Sequence, residues 1–267
     1  MGPVIKAHAY GNDFLLVAES AMRLGGVDDD PPAVVRALCD RHAGIGADGV
    51  IVFNERAHGA TMRLFNADGG GSELSGNGLR CLAALVARKQ KLEPGTTIDV
   101  DTGAGRKTLE LLGHAGVRYT FRAALGPPEE LRQVAVAVGS ESLTASVLRL
   151  GNPQCVVLGS LPEPSRFNQL GPALARHPMF PGGTNVEFAQ VDAPDRVRIL
   201  IWERGVGPTT SSGTGASASA VAAAAHGGAA RSVDVVAPGG TQHVEWREDG
   251  VYLTGWAELV LEGDWLG

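Results

Sequence analysis

Apolar and polar positions along the chain alternate between two rhythms. Short runs rich in β-branched residues and bounded by turn residues read as strands: Val50–Phe53, Met62–Phe65, Thr97–Val100 and Val117–Phe121. Further runs of the same kind follow at Ser146–Leu150, Cys155–Leu158, Asn185–Phe188 and Arg196–Trp202. Two segments break this rhythm with helical spacing. Behind Ser75, the residues Leu79, Leu82, Ala83, Leu85 and Val86 recur at intervals of three and four. Behind Ser212, the alanine-rich run Ala216–Ala225 has high helix propensity and stops at Gly227-Gly228. Asp28–Pro32 reads as a loop, Gly126–Glu130 as a linker, and Gly250–Leu261 as a closing hairpin.

The two helical segments echo one another. Ser75-Gly-Asn-Gly78 returns as Ser212-Gly-Thr-Gly215, an offset of 137 residues, about half the chain. The same offset places Met62–Asn66 on Ile199–Glu203 and Asp48 on Asn185, and a small shift places Gly11-Asn12 on Gly151-Asn152. Landmarks in the same order point to duplication. The predicted fold class is α+β: two pseudo-symmetric halves, each a strongly bent mixed sheet wrapped around a central helix. The expected division is 1–122, with a C-terminal strand at about 256–267, against 123–255.

Composition narrows the class. Glycine, at 37 of 267 residues, is well above the usual share of about 7%, yet it has no collagen period. A net charge of −6 and a pI of about 5.6 argue against a nucleic-acid partner. No apolar run is long enough for a membrane helix, and the N-terminus lacks a signal-peptide core. Three cysteines, Cys39, Cys81 and Cys155, are odd in number and lack metal-like spacing, which suits a reduced cytoplasm and predicts no metal.

Each Ser-Gly-x-Gly loop follows a strand and opens a helix, so free backbone N–H groups and the helix dipole face an anion there. Taken singly, each serine is an ordinary N-cap. Taken as a related pair, they read as two helix ends that hold one carboxylate or phosphate. Gly44-Ile-Gly-Ala-Asp-Gly49 matches a dinucleotide fingerprint, but it precedes a strand and opens no helix. Gly103–Thr108 has the wrong spacing for a phosphate loop. Both read as turns. Asn12, Asn66, Asn152 and Asn185 sit in loops beside strands and supply neutral amides. The adjacent Glu203 and Arg204 can bind an ammonium and a carboxylate. This is the inventory for a zwitterionic amino acid.

These motifs resemble those of diaminopimelate epimerase along nearly the whole chain. The matching stretches are Gly11-Asn-Asp-Phe14, Cys39–Gly49, Phe65–Gly69, Ser75–Gly78, Gly151-Asn-Pro153, Asn185–Phe188, Glu203-Arg-Gly205 and Ser212–Gly215. The resemblance implies an active site in the cleft between the halves. It implies an isomerase that inverts an amino-acid α-carbon, LL- to meso-diaminopimelate, in lysine and peptidoglycan precursor biosynthesis, by two-base proton transfer without pyridoxal phosphate, any other cofactor or metal. The acid and base positions fall on Ser75 and Ser212. Substrate contacts fall on Asn12, Asn66, Gly76, Asn77, Asn152, Asn185, Glu203, Arg204, Gly213 and Thr214. The family pattern has cysteine at both catalytic positions and histidine after Gly-Asn-Pro, whereas this chain has serines and Gln154. A serine hydroxyl needs an adjacent base, and no histidine lies within either motif to supply one. Beside the epimerase stand two alternatives on the same scaffold: a redirected isomerase or lyase that moves a proton by another residue, with Asp68, Glu73 or Glu203 as candidate bases, and an amino-acid-binding protein without chemistry. The expected partner is a small amino acid, with no nucleic acid and no membrane, and a homodimer is left open.

Overall fold

A computed structural model describes residues 2–24 and 31–266. The chain divides into two compact units, residues 1–123 with 255–267, and residues 124–254.

The first unit begins with β1 (Pro3–Ala9), β2 (Asn12–Ala18), α1 (Glu19–Leu24) and α2 (Pro31–Cys39). It continues through β3 (Gly49–Arg56), β4 (Gly59–Asn66), β5 (Gly71–Ser72), α3 (Gly76–Gln90), β6 (Thr97–Thr102), β7 (Gly105–Ala115) and β8 (Arg118–Gly126). Residues 28–30 of the expected loop lie outside the described residues, while Pro31 and Pro32 open α2. β1 pairs antiparallel with β2, β3 with β4, β6 with β7, and β7 with β8. The parallel pairs are β2 with β3 and β4 with β6. Parallel neighbours need a crossover, and helices supply it: α1 and α2 in the first case, α3 in the second. The last strand, β17 (Gly250–Asp264), pairs with β8 and, antiparallel, with β1. The pairings therefore close into a ring around α3. That is why Asn77 through Ala87 of α3 are all buried, against Phe14, Ile51, Phe53, Ile98, Leu109 and Phe121.

The second unit repeats the plan. It contains β9 (Glu129–Val138), β10 (Glu141–Arg149), β11 (Pro153–Leu158), α4 (Pro164–Ala175), β12 (Asn185–Ala193), β13 (Arg196–Glu203) and β14 (Gly207–Thr209). Then come α5 (Gly213–His226), β15 (Ser232–Ala237), β16 (Gly240–Arg247) and the start of β17. Again two pairs are parallel, β11 with β12 across α4 and β13 with β15 across α5. α5 has no apolar stripe; Gly213 and Gly215 through Ala223 are buried all round, as in a helix enclosed on every side. Its small side chains bring strands bearing Val156, Ile199, Val233 and Val244 close to its backbone.

Two expected connections differ. The linker over 126–130 shrinks to Pro127-Pro128, because β8 runs to Gly126 and β9 starts at Glu129. The closing hairpin is one long strand: its first residues, Gly250–Thr254, pair with β16, and residues from Glu258 pair with β1. Pairing to two different strands leaves no turn inside it.

Candidate active site

Both serines cap their helices. Ser75 has extended dihedrals (φ −130°, ψ 124°), and its Oγ accepts from Gly78 N at 3.1 Å. Ser212 (φ −141°, ψ 126°) accepts from Gly215 N at 3.2 Å. Each hydroxyl thus satisfies one of the free donors of a first helical turn. A Cβ placed on Gly76 would meet nothing within 4 Å, so the end of α3 opens on free space.

In the first unit Asn12, Asn77 and Arg80 form a chain. Arg80 Nη2 donates to Asn77 Oδ1 (2.5 Å), Asn77 Nδ2 to Asn12 Oδ1 (3.1 Å), and Asn12 Nδ2 to Asp48 Oδ2 (2.7 Å). Arg41 bridges Asp13 and Asp48, and Lys6 pairs with Asp13 at 3.0 Å. Burial opposes the Asp13 charge, but the hydrogen bonds and charges of Arg41 and Lys6 hold its carboxyl below the ordinary range. Asn66 ends β4, exposed; its backbone carbonyl accepts from Gly69 N at 2.9 Å in the following turn. Asp68 is tied into that turn, accepting from Gly70 N at 2.7 Å, and Glu73 is exposed.

The second unit is acidic at the matching place. Ser212 hydrogen-bonds the Glu203 carboxylate. Burial raises the Glu203 carboxyl above its ordinary value, and the Ser212 hydroxyl offsets part of that rise. Asn185 Oδ1 accepts from Arg204 N at 2.9 Å, and Arg204 Nη1 donates to the Gly182 carbonyl at 2.8 Å. Arg204 and Trp202 line a cavity of about 420 Å³ with Phe180, Pro181 and Val206. Asn152 lies with its amide 2.6 Å from that of Gln154. The Gln154 amide satisfies its neighbours with its nitrogen toward Glu187 Oε1 and Oε2 (3.0 and 3.3 Å). Its oxygen then accepts from Asn185 Nδ2 (3.3 Å) and Thr214 Oγ1 (3.2 Å).

The first unit therefore groups Asn12 and Asn77 at the α3 end, with Asn66 outside this network. The second groups Asn152, Asn185, Thr214 and Glu203 around Ser212. Of the three candidate bases, Glu203 is the one bonded to a capping serine. The cysteines are all buried and distant from ionisation: burial pushes Cys39 up to about 11, and Cys81 and Cys155 up to about 12. Sequence reasoning missed Arg80 and Glu187. The available signal was the same for both: a charged residue inside an otherwise apolar run. Arg80 is 2% exposed and Glu187 0%.

The diaminopimelate epimerase family model matches residues 4–125 and 146–260. A diaminopimelate epimerase of Desulforudis audaxviator is 42% identical over 277 residues, covering 98% of this chain and 98% of the relative. A chloroplastic diaminopimelate epimerase of Oryza sativa is 36% identical, over 97% of this chain and 78% of its own. Among solved structures, a predicted epimerase from Pseudomonas aeruginosa shares the fold at a TM-score of 0.75 and 15% identity, covering all of both chains. With the family model spanning both units and relatives above 30% identity across nearly the whole length, this chain belongs to the diaminopimelate epimerase family.

Proposed function

We propose that this protein is an isomerase that inverts the α-carbon of diaminopimelate, LL to meso, by proton transfer with no cofactor, in the cytoplasm. The observation that carries the reading is the 42% identity to a diaminopimelate epimerase over 98% of both chains. The site chemistry agrees with it. The open end of α3 presents N–H donors suited to a carboxylate, and negative charge spreads onto that carboxylate when the α-proton leaves. Arg204, with Asn152 and Asn185 nearby, provides the fork and amides that recognise a second carboxylate.

Proton removal falls to the Ser212–Glu203 pair. A hydroxyl alone is too weak an acid to supply an alkoxide near neutrality, so the carboxylate behind it must accept the proton. As the Ser212 oxygen takes the α-proton, its own hydroxyl proton passes to Glu203. The raised pKa of Glu203 brings a carboxylate closer to the range useful to a general base. Return of a proton to the other face of the α-carbon is assigned to position 75.

Proton NMR of diaminopimelate in deuterium oxide tests this reading directly. Loss of the α-proton signal, with conversion of the LL to the meso isomer, is expected. Binding without any exchange would leave an amino-acid-binding protein and refute the isomerase.

A further inference from the structure

Glu187 is fully buried, the deepest acid among the described residues, and the mechanism above does not use it. It stands on β12, where Glu187 faces Ile201 and Val186 faces Trp202 of β13. Glu203, two residues beyond Ile201, is consequently its diagonal neighbour on the same sheet face. In the parallel pairing of β11 with β12, Gln154 stands beside Asn185 on that face as well. The carboxyl of Glu187 points under the first turn of α5: a Cβ on Gly215 would lie 2.6 Å from Glu187 Oε1. Glycine at 215 is what leaves room for it.

Among the described residues, the surroundings offer no positive charge to neutralise an anion. Burial and the neighbouring Glu203 carboxylate both push the pKa of Glu187 well above the ordinary carboxylate range. From β11 it meets the Gln154 amide, and the Cys155 thiol lies across the sheet, itself held un-ionised by burial. From α5 come Gly215 and, through Gln154, the Thr214 hydroxyl. An anion here would sit beside Glu203 and force that group to keep its proton.

We propose that Glu187 is a positioning residue held as the neutral acid: it locks the Gln154 amide, and through it orients Asn185 and Thr214 around the Glu203–Ser212 pair. The role deepens the isomerase reading and rests on it for its purpose, though the protonation and the lock are properties of the protein alone. Because the Gln154 nitrogen faces Glu187, its oxygen is left to accept from Asn185 and Thr214. Ionisation of Glu187 keeps that hydrogen bond but adds a second buried negative charge next to the base.

Two ligand-free measurements test it. The infrared difference spectrum between the unmodified protein and Glu187→Gln at neutral pH should show loss of the C=O band of a protonated carboxylic acid. Loss of carboxylate bands alone would overturn the proposal. By NMR, the Gln154 side-chain amide should be protected from exchange in the unmodified protein and in Glu187→Gln, and unprotected in Glu187→Leu; equal protection in all three would overturn the lock. With diaminopimelate, Glu187→Leu should weaken binding by about ten- to hundredfold, the effect of an unpartnered buried amide. Glu187→Gln should restore it to within about threefold; a Gln variant as weak as the Leu variant would refute the role. If Glu187→Gln does not fold, the same band is followed in the unmodified protein labelled at glutamate carboxyl carbons. Its absence at neutral pH then decides against the proposal. A protein that shows the band and the protected amide but exchanges no α-proton would refute the isomerase and leave this inference standing.

Discussion

Replacing Gly215 by alanine sets a favourable local effect against a larger unfavourable one. In a helix interior alanine is better than glycine by about 1 kcal/mol. At this position, however, the new methyl carbon would lie 2.6 Å from Glu187 Oε1 and 3.2 Å from both Glu187 Cδ and Ser212 Cβ. The first contact is closer than such atoms tolerate, and the carboxyl is fully buried with no open space to enter. Overpacking of this kind costs about 1–3 kcal/mol. Displacing the carboxyl from Gln154 adds about 1–3 kcal/mol for a buried donor left without its acceptor. The net expectation is a loss of about 2 kcal/mol, seen as a fall in melting temperature of about 4–8 °C for a chain of this size. Urea denaturation gives the free energy independently. Gly76→Ala is the control, since it lies in the first turn of α3 with open space around it; it should be neutral or stabilising by up to about 1 kcal/mol. In a double-mutant cycle Glu187→Ala should relieve the clash, with a coupling of about 1–2 kcal/mol. A Gly215→Ala protein as stable as the parent, or a cycle without coupling, would refute the placement of Glu187 under α5.

Ser75→Ala and Ser212→Ala should each cost about 1 kcal/mol through loss of an N-cap, measured by urea denaturation. Only Ser212→Ala should also abolish α-proton exchange, because it removes the oxygen that takes the α-proton and passes its own proton to Glu203. The contribution of Glu187 and Glu203 to stability should fall as pH rises: their folded pKa values lie above the unfolded ones, so that contribution is complete below the ordinary carboxylate range and is lost as pH passes the raised values; Glu187→Gln should flatten this loss, as seen by thermal unfolding. Restoring cysteine at both 75 and 212 should greatly raise α-proton exchange, because a thiol at a helix N-terminus ionises near neutrality; a folded, binding double variant with no exchange would rule out proton transfer at these positions.

The two central helices were legible because their signals are local. A serine cap, helical spacing in one case and an alanine run in the other mark α3 and α5 without reference to anything distant. Duplication was legible for the same reason, since its landmarks are short and keep their order. The helices α1, α2 and α4 were not: α1 has six residues, and α2 and α4 open with proline, so their apolar positions are too few to establish a period. β17 was read as a hairpin because Gly255 interrupts its apolar run. In the structure that glycine gives close approach to the Arg80 guanidinium and the Tyr10 hydroxyl, where a Cβ would lie 3.2 Å from each. The candidate residues at the helix ends could be named from the sequence, but the partners that set their chemistry lie far along the chain. Glu187 is 28 positions from the Gly215 that admits it, and no local pattern links them.

The shared plan of the two units makes their electrostatic difference informative. Beneath the end of α3 lies a buried cation: Arg80 is almost fully enclosed, its Nε has no partner, and its guanidinium stands 5.7 Å from the Tyr10 ring centre. The carboxylates nearby, Asp13 and Asp48, are engaged by Arg41 and Lys6. Among the described residues, Ser75 Oγ bonds to a backbone amide and to no carboxylate. Beneath the end of α5 the arrangement is reversed, with a buried acid, Glu187, and a half-buried one, Glu203, that holds the capping serine. The two helix ends, alike in their serine caps, thus differ in charge: one has a buried cation behind it, the other carboxyl groups. On the proposed mechanism the Ser212–Glu203 pair both accepts the α-proton and can return it. Return to the same face restores the starting isomer. Exchange of the α-proton with solvent should accordingly outrun inversion in this protein, and the ratio of deuterium uptake to LL-to-meso conversion measures it. A ratio near one would mean that Ser75 donates as readily as the Ser212–Glu203 pair accepts, and that the cation beneath α3 assists that donation.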